Sequence, residues 1–141
     1  TTITTTTTAA MTRRQKRRHL VKARECVRAL EKWFKNGAVD CEAYLIALKA
    51  ELTALELHNK NGNKNNNNTD VGARIESLFD GAIEAAERLT YWDVAGFTSE
   101  RAGWKLRELG LEDMSKKYFF QAAHMYKEWG AAAKVQNILS K

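Results

Sequence analysis

The sequence predicts an all-α protein of about six helices arranged as antiparallel hairpins. Three observations predict it. There is no proline among the 141 residues, so nothing interrupts a long helix from within. Apolar residues recur at spacings of three and four through most of the chain, which is the period of one helix face. Between those stretches stand glycine stops, each followed within a few residues by the next apolar pattern. Connections that short make neighbouring helices antiparallel.

Residues 1–10 are nearly all threonine and alanine. They bury too little apolar surface to offset their ordering entropy, so 1–12 read as a flexible Thr-rich linker ahead of a helical region, 13–141. A first helix is predicted from about Thr12 to Lys35, with Leu20, Ala23, Val27, Leu30 and Phe34 as its stripe and Asn36-Gly37 as its stop. Its opening basic run opposes the helix dipole, which moves the expected start nearer His19. Asp40 is placed to cap a second helix carrying Tyr44, Leu45, Leu48, Leu52 and Leu55 on one side.

The Asn-rich run 59–70 has no helical period and reads as a disordered insertion. Asp70 is placed to cap a third helix, with Ile75, Leu78, Phe79, Ala82, Ile83 and Ala86 as its apolar stripe. A fourth runs from about Asp93 to Leu109 and stops at Gly110. Leu111-Glu112-Asp113 opens a fifth, carrying Met114, Tyr118, Phe119, Ala122 and Met125. Gly130 divides it from a sixth, which carries Val135, Ile138 and Leu139.

Composition narrows the function classes. Hydrophobic residues make up 44% and charged residues 28% of the chain, an ordinary globular balance. No apolar run approaches the roughly 20 residues of a membrane span, and no signal peptide is visible, so a cytoplasmic location is expected. The helical pattern is still running near Lys141, which reads as a section of a longer polypeptide. The net charge is +6, but residues 11–36 alone carry +8 and the remainder −2. Cys26 and Cys41 lack metal-ligand spacing and are expected as reduced, partly buried thiols. Asn67-Asn68-Thr69 fits the glycosylation triplet, a match that an Asn-rich run gives almost freely.

A repeat signal runs through the last third. Gly103 and Gly110 are seven apart, as are Ser115 and Ala122, with Phe119 between the second pair. This order of small, turn, small, bulky and small residues resembles a tetratricopeptide hairpin, where two helix backbones approach too closely for larger side chains. Ile75, Phe79 and Ala82 repeat part of it forty residues earlier. The resemblance implies a TPR-like α-solenoid segment.

A wider resemblance covers about residues 20–141. Trp33, Val39-Asp40-Cys41-Glu42-Ala43-Tyr44-Leu45, Ala82-Ile83-Glu84-Ala85-Ala86, Glu100-Arg101-Ala102-Gly103 and Trp129-Gly130-Ala131-Ala132-Ala133-Lys134-Val135 are similar to blocks in one family. They resemble the helical region that follows the NTPase module of large multidomain signalling ATPases, proteins that also carry kinase-like, GAF, histidine-kinase or cyclase domains. That implies a non-catalytic helical-repeat scaffold, contacting proteins or neighbouring domains of its own polypeptide in signal transduction. No GxxxxGK[ST] loop and no kinase signature occurs in the chain, so no catalytic residue, cofactor or metal site is carried over.

Other candidates are weaker. Arg13, Arg14, Lys16, Arg17 and Arg18 form a possible basic patch, and the alternative function is a basic nucleic-acid-binding module using residues 13–18. No stacking aromatic accompanies that run, which argues against nucleic acid as partner. His19, His58 and His124 lack companion ligands. Glu51 with Glu56, and Glu84 with Glu87, read as solvated helix faces. Trp33, Trp92, Trp104, Tyr118, Phe119, Tyr126 and Trp129 are expected between helices, some of them lining a groove for a partner.

Overall fold

A computed structural model describes residues 10–61 and 68–141. Among them are six α-helices and no strand: α1 (Arg13–Lys35), α2 (Glu42–Asn61), α3 (Asn68–Arg88), α4 (Trp92–Glu108), α5 (Glu112–Trp129) and α6 (Ala132–Leu139). One 3-10 turn, Val39–Cys41, leads into α2 and contains Asp40, which therefore does not cap that helix. The Thr-rich tract through residue 9 and residues 62–67 lie outside the described residues, and with them go most of the expected linker and half of the expected insertion. Helix occupies both ends of the 59–70 run, since α2 reaches Asn61 and α3 begins at Asn68. Asp70 sits within the first turn of α3 rather than ahead of it.

The start of α1 corrects the expectation near His19. Thr12 Oγ1 accepts from the Gln15 backbone N–H at 3.2 Å, and the Thr12 N–H donates to Gln15 Oε1 at 2.8 Å. This reciprocal capping box contributes about 1 kcal/mol and satisfies donors that the helix itself cannot. The first turn forms with this box in place, even though each exposed cation there is adverse by a salt-screened effect of about 0.3–1 kcal/mol.

Four junctions share one geometry. Gly37, Gly110 and Gly130 take positive φ values of 97°, 77° and 87°, and Thr90 takes 59°. In each case the next residue's N–H closes back on the preceding helix. Ala38 donates to the Trp33 carbonyl at 2.9 Å, Tyr91 to Ala86 at 2.9 Å, Leu111 to Leu106 at 3.0 Å and Ala131 to Tyr126 at 2.9 Å. These are Schellman closures, which satisfy orphan carbonyls and reverse the chain within three residues. Three use glycine, where the left-handed conformation costs little. Thr90 holds it with a β-branched side chain and is strained.

Each helix packs against the next in sequence. The main core is built from Ile75, Phe79, Ala82, Ile83 and Ala86 of α3, with Val94, Ala95, Ala102 and Leu106 of α4, Tyr118 and Met125 of α5, and Ala43, Ala50 and Ala54 of α2. The stripe expected on α2 is corrected here. Leu45 is buried as expected, but the most buried positions are Ala43, Ala50 and Ala54; Leu48, Leu52 and Leu55 are half-buried, and Tyr44 is exposed. α1 contributes no buried residue at all. On α6, Ile138 is buried but Leu139 is exposed.

The α4–α5 contact is the tightest. A Cβ built on Gly103 would lie 2.9–3.0 Å from three atoms of the Phe119 ring, and one on Gly96 would lie 2.9 Å from two atoms of the Tyr126 ring. Both rings therefore rest directly on the α4 backbone. Phe119 cannot retreat easily, because Trp104 meets it edge-on at 5.4 Å and the Arg107 guanidinium stacks over it at 4.7 Å. Ser115 and Ala122 are fully buried beside it. The Ser115 hydroxyl has no hydrogen-bond partner among the described residues.

Polar clasps join helices two apart in sequence. Glu51 of α2 holds Arg101 of α4, with Nε–Oε1 at 2.6 Å. Tyr118 of α5 donates to Asp80 Oδ1 of α3 at 2.6 Å. Glu100 of α4 accepts from Tyr126 Oη at 2.9 Å and pairs with Lys134 of α6 at 3.1 Å. Burial, reinforced by the neighbouring carboxylates, pushes the Tyr118 and Tyr126 hydroxyls far above the ordinary tyrosine value of 10.

Replacing Gly103 with valine should lower stability by about 2–3 kcal/mol through overpacking on Phe119. Gly81→Ala, in α3 where a Cβ would meet nothing within 4 Å, should raise it by about 0.5–1 kcal/mol. Urea midpoints measure both, and equal effects would refute the close-approach account. Thr90→Gly should gain about 0.5–1 kcal/mol by relieving the left-handed strain, net of glycine's greater freedom when unfolded. Tyr118 and Tyr126 have higher pKa values folded than unfolded. Their stabilisation is complete below the unfolded value near 10 and is lost as pH rises above it. Tyr126→Phe should therefore flatten the decline of stability measured across alkaline pH.

Candidate functional site

The described surface has one large apolar recess, a groove of about 640 Å³. One wall is α1, through Cys26, Ala29, Leu30 and Trp33. The other is α4, through Asp93, Val94, Phe97, Thr98 and Arg101. Tyr44, Ala47, Leu48 and Glu51 of α2 form the floor, with Phe79 of α3 beneath. The spacings explain the walls: positions 26, 29, 30 and 33 share one face of α1, and 93, 97 and 101 advance along α4 in steps of four.

The groove exists because α1 is held from one side only. It packs on α2 through half-buried Leu20, Ala23, Val27 and Leu30 and through exposed ion pairs, Glu31–Lys49 at 2.7 Å and Arg24–Glu56 at 3.5 Å. Lys49 holds the Glu31 carboxyl below its ordinary value. α4 lies on the far side of α2, tied to it by the Glu51–Arg101 clasp. No described residue fills the space between α1 and α4. Three large aromatics consequently face solvent there: Trp33 is 57% exposed, Tyr44 48% and Phe97 57%.

The polar atoms within the groove are largely engaged. Arg101 reaches both oxygens of Glu51, at 2.6 and 3.4 Å. Glu51 first, then Glu108 and Glu100, hold the guanidinium's pKa above its usual value despite partial burial. The Thr98 hydroxyl donates to the Val94 carbonyl at 2.7 Å. Tyr91 packs beside Tyr44 at 6.1 Å between ring centroids, and burial, then Asp40, raises its hydroxyl pKa. Among the described residues no three His, Cys, Asp or Glu side chains converge to hold a metal ion. What the arrangement presents is an apolar surface with one matched ion pair, Glu51–Arg101, at its edge.

The predicted repeat residues gather elsewhere. Gly103, Ser115, Phe119 and Ala122 meet at the α4–α5 crossing, while Gly110 and Gly130 serve as turns. Trp129, expected between helices, is 56% exposed and only borders Tyr126, at 6.4 Å. Trp33 is likewise exposed, because among the described residues α2 and the turn before it are the main elements packed on α1. Cys26 is an exposed free thiol rather than a partly buried one. Cys41 is half-buried, and its thiol donates to the Ala38 and Leu30 carbonyls.

Arg13, Arg14, Lys16, Arg17 and Arg18 are all exposed on the first turns of α1, and no ion pair involves them among the described residues. His19 and His124 are exposed as well, and the side chain of His58 lies outside the described residues. Glu51 and Glu56 engage different arginines, Arg101 and Arg24, so they do not act as a carboxylate pair. Sequence reasoning missed Phe97, whose one signal is its position a helical turn from both Asp93 and Arg101. A smaller recess of about 160 Å³ lies beside α5 and α6, where Phe120 and Leu139 are exposed near Arg107, Lys116 and Lys141.

No helix among the described residues is long and apolar enough to cross a membrane. Compared with known proteins, the chain matches no family model, no curated protein and no solved structure.

Proposed function

We propose that this chain is a non-catalytic, TPR-like helical scaffold whose groove receives an amphipathic helix, from a protein partner or a neighbouring domain of its own polypeptide. One observation carries the reading: Trp33, Tyr44 and Phe97 stand exposed together on a single apolar groove. Large exposed aromatics gathered in a recess supply most of the binding energy where helices dock. Isolated exposed side chains would need no such explanation. The α4–α5 crossing, with Phe119 seated on Gly103, supports the TPR-like part of the reading. The resemblance to the helical region of signalling ATPases supports a cytoplasmic setting in signal transduction.

A second reading rests on its own observation, the five exposed cations at Arg13, Arg14, Lys16, Arg17 and Arg18, which have no ion pair among the described residues. It makes α1 a nucleic-acid-binding helix. Such binding would fall steeply with salt, since each phosphate contact releases a counterion.

The test is a titration with a leucine-faced amphipathic peptide of roughly 20 residues, about 30 Å when helical, followed by calorimetry. Phe97→Ser and Trp33→Ser, both at exposed positions, should leave the circular dichroism spectrum unchanged. Together they should weaken peptide binding by at least about tenfold. Unchanged affinity in the double variant, or no binding by the wild type, would count against the groove. Tight and strongly salt-dependent binding of duplex DNA, lost on replacing the five cations, would favour the second reading.

A further inference from the structure

The charges around the groove are unevenly matched. On the α2–α4 side, Glu51 neutralises Arg101, and Glu108 and Glu100 lie close enough to act on the same guanidinium. On the α1 side the balance fails. Residues Arg13 to Arg24 hold seven cations and no carboxylate. Only Lys22 and Arg24 have ion partners among the described residues, Glu25 at 3.7 Å and Glu56 at 3.5 Å.

These cations continue the groove wall. Lys22 and Arg18 lie four and eight residues before Cys26, so they extend its row one and two helical turns toward the α1 N-terminus. Arg14, Arg17, Arg18 and Lys22 also border a shallow recess on that same stretch of helix. An occupant lying along α1 would pass from apolar wall to unmatched positive charge without leaving the helix.

From this juxtaposition we infer that the groove selects an amphipathic helix carrying an acidic turn at one end of its apolar face, the end beside Arg13–Lys22. The inference rests on the groove reading proposed above and adds the partner's chemistry. Charge complementarity of this kind fixes orientation and speeds encounter. A nucleic acid duplex would use the cations but leave the groove empty. The exposed aromatics on α1, Trp33 and Phe34, lie about 22–24 Å along the helix axis from Arg18, too far to stack on the same nucleotide. A lipid surface fits poorly too, because the first two turns of α1 have no apolar face to insert.

The experiment uses three peptides that share one leucine face and differ in a terminal turn that is acidic, neutral or basic. Binding to the full chain is measured at low and at high salt. The acidic peptide should bind about tenfold tighter than the neutral one, as several partly exposed ion pairs would give, and the basic peptide should bind most weakly. The advantage should vanish at about 1 M salt, where the Debye length is about 3 Å. It should also vanish in the combined variant Arg13→Gln, Arg14→Gln, Arg17→Gln and Arg18→Gln, whose helix content and affinity for the neutral peptide should stay unchanged.

Equal binding of all three peptides, or an acidic preference that survives in that variant, overturns the inference and leaves the groove reading standing. Failure of all three to bind overturns the groove reading itself. A duplex oligonucleotide that binds through α1, while the peptides show no charge preference, assigns the cations to nucleic acid instead.

Discussion

The rest of the structure depends on two aromatic rings lying on bare helix backbone. Phe119 covers Gly103 and Tyr126 covers Gly96, and the residues in each set are seven apart, two turns along their helices. Two contacts at that spacing hold α4 and α5 close along their length, where one would leave them free to pivot. The approach also places Tyr126 Oη against Glu100, whose carboxylate then holds Lys134 of α6. A side chain on either glycine would push α5 outward and loosen α6 with it. This constraint is steric, and the hydrogen bonds follow from it.

Beyond neighbouring pairs, the helices are ordered by the clasps between elements two apart: Glu51–Arg101, Asp80–Tyr118 and Glu100–Lys134. Each links two helices that a third separates in sequence, so each restrains how that pair of helices sits. Their partly buried setting makes them more valuable as selectors of geometry than as sources of stability. The pattern does not extend to α1, whose ion pairs to other helices, among the described residues, all go to α2. Lacking a second neighbour, α1 stays half-buried and the groove opens beside it. Candidate site and weakest packing therefore have the same cause.

Much of the helical order was legible in the chain because helix period and chain reversal are local. Gly37, Gly110 and Gly130 all mark turns, and a glycine at a left-handed position is dictated by its immediate neighbours. The junction at Thr90 was harder to see for the same reason, since no glycine announces it. Boundaries failed where a local rule met a competing local interaction. The basic run pointed to a later start for α1, but the Thr12–Gln15 capping box held the first turn in place. Asp40 and Asp70 looked like caps, and chain geometry put both inside helical turns instead.

Within the candidate site, the sequence showed Trp33 and Tyr44 but not their partner Phe97, nor the exposure of any of the three. A period of three and four residues tells which side chains share a helix face; it carries no information about whether a second helix arrives to cover that face. By itself, then, the sequence determined the all-α class, the order of the hairpins, Gly103, Ser115 and Ala122 as small residues of the α4–α5 crossing though not Gly96, and the concentration of positive charge in α1. Only the tertiary structure decided that α1 packs, among the described residues, mainly on α2, that Glu51 meets Arg101 fifty residues away, and that three aromatics share an open groove. Those outcomes depend on how whole helices stack, and stacking is set by long-range fit that no local spacing encodes.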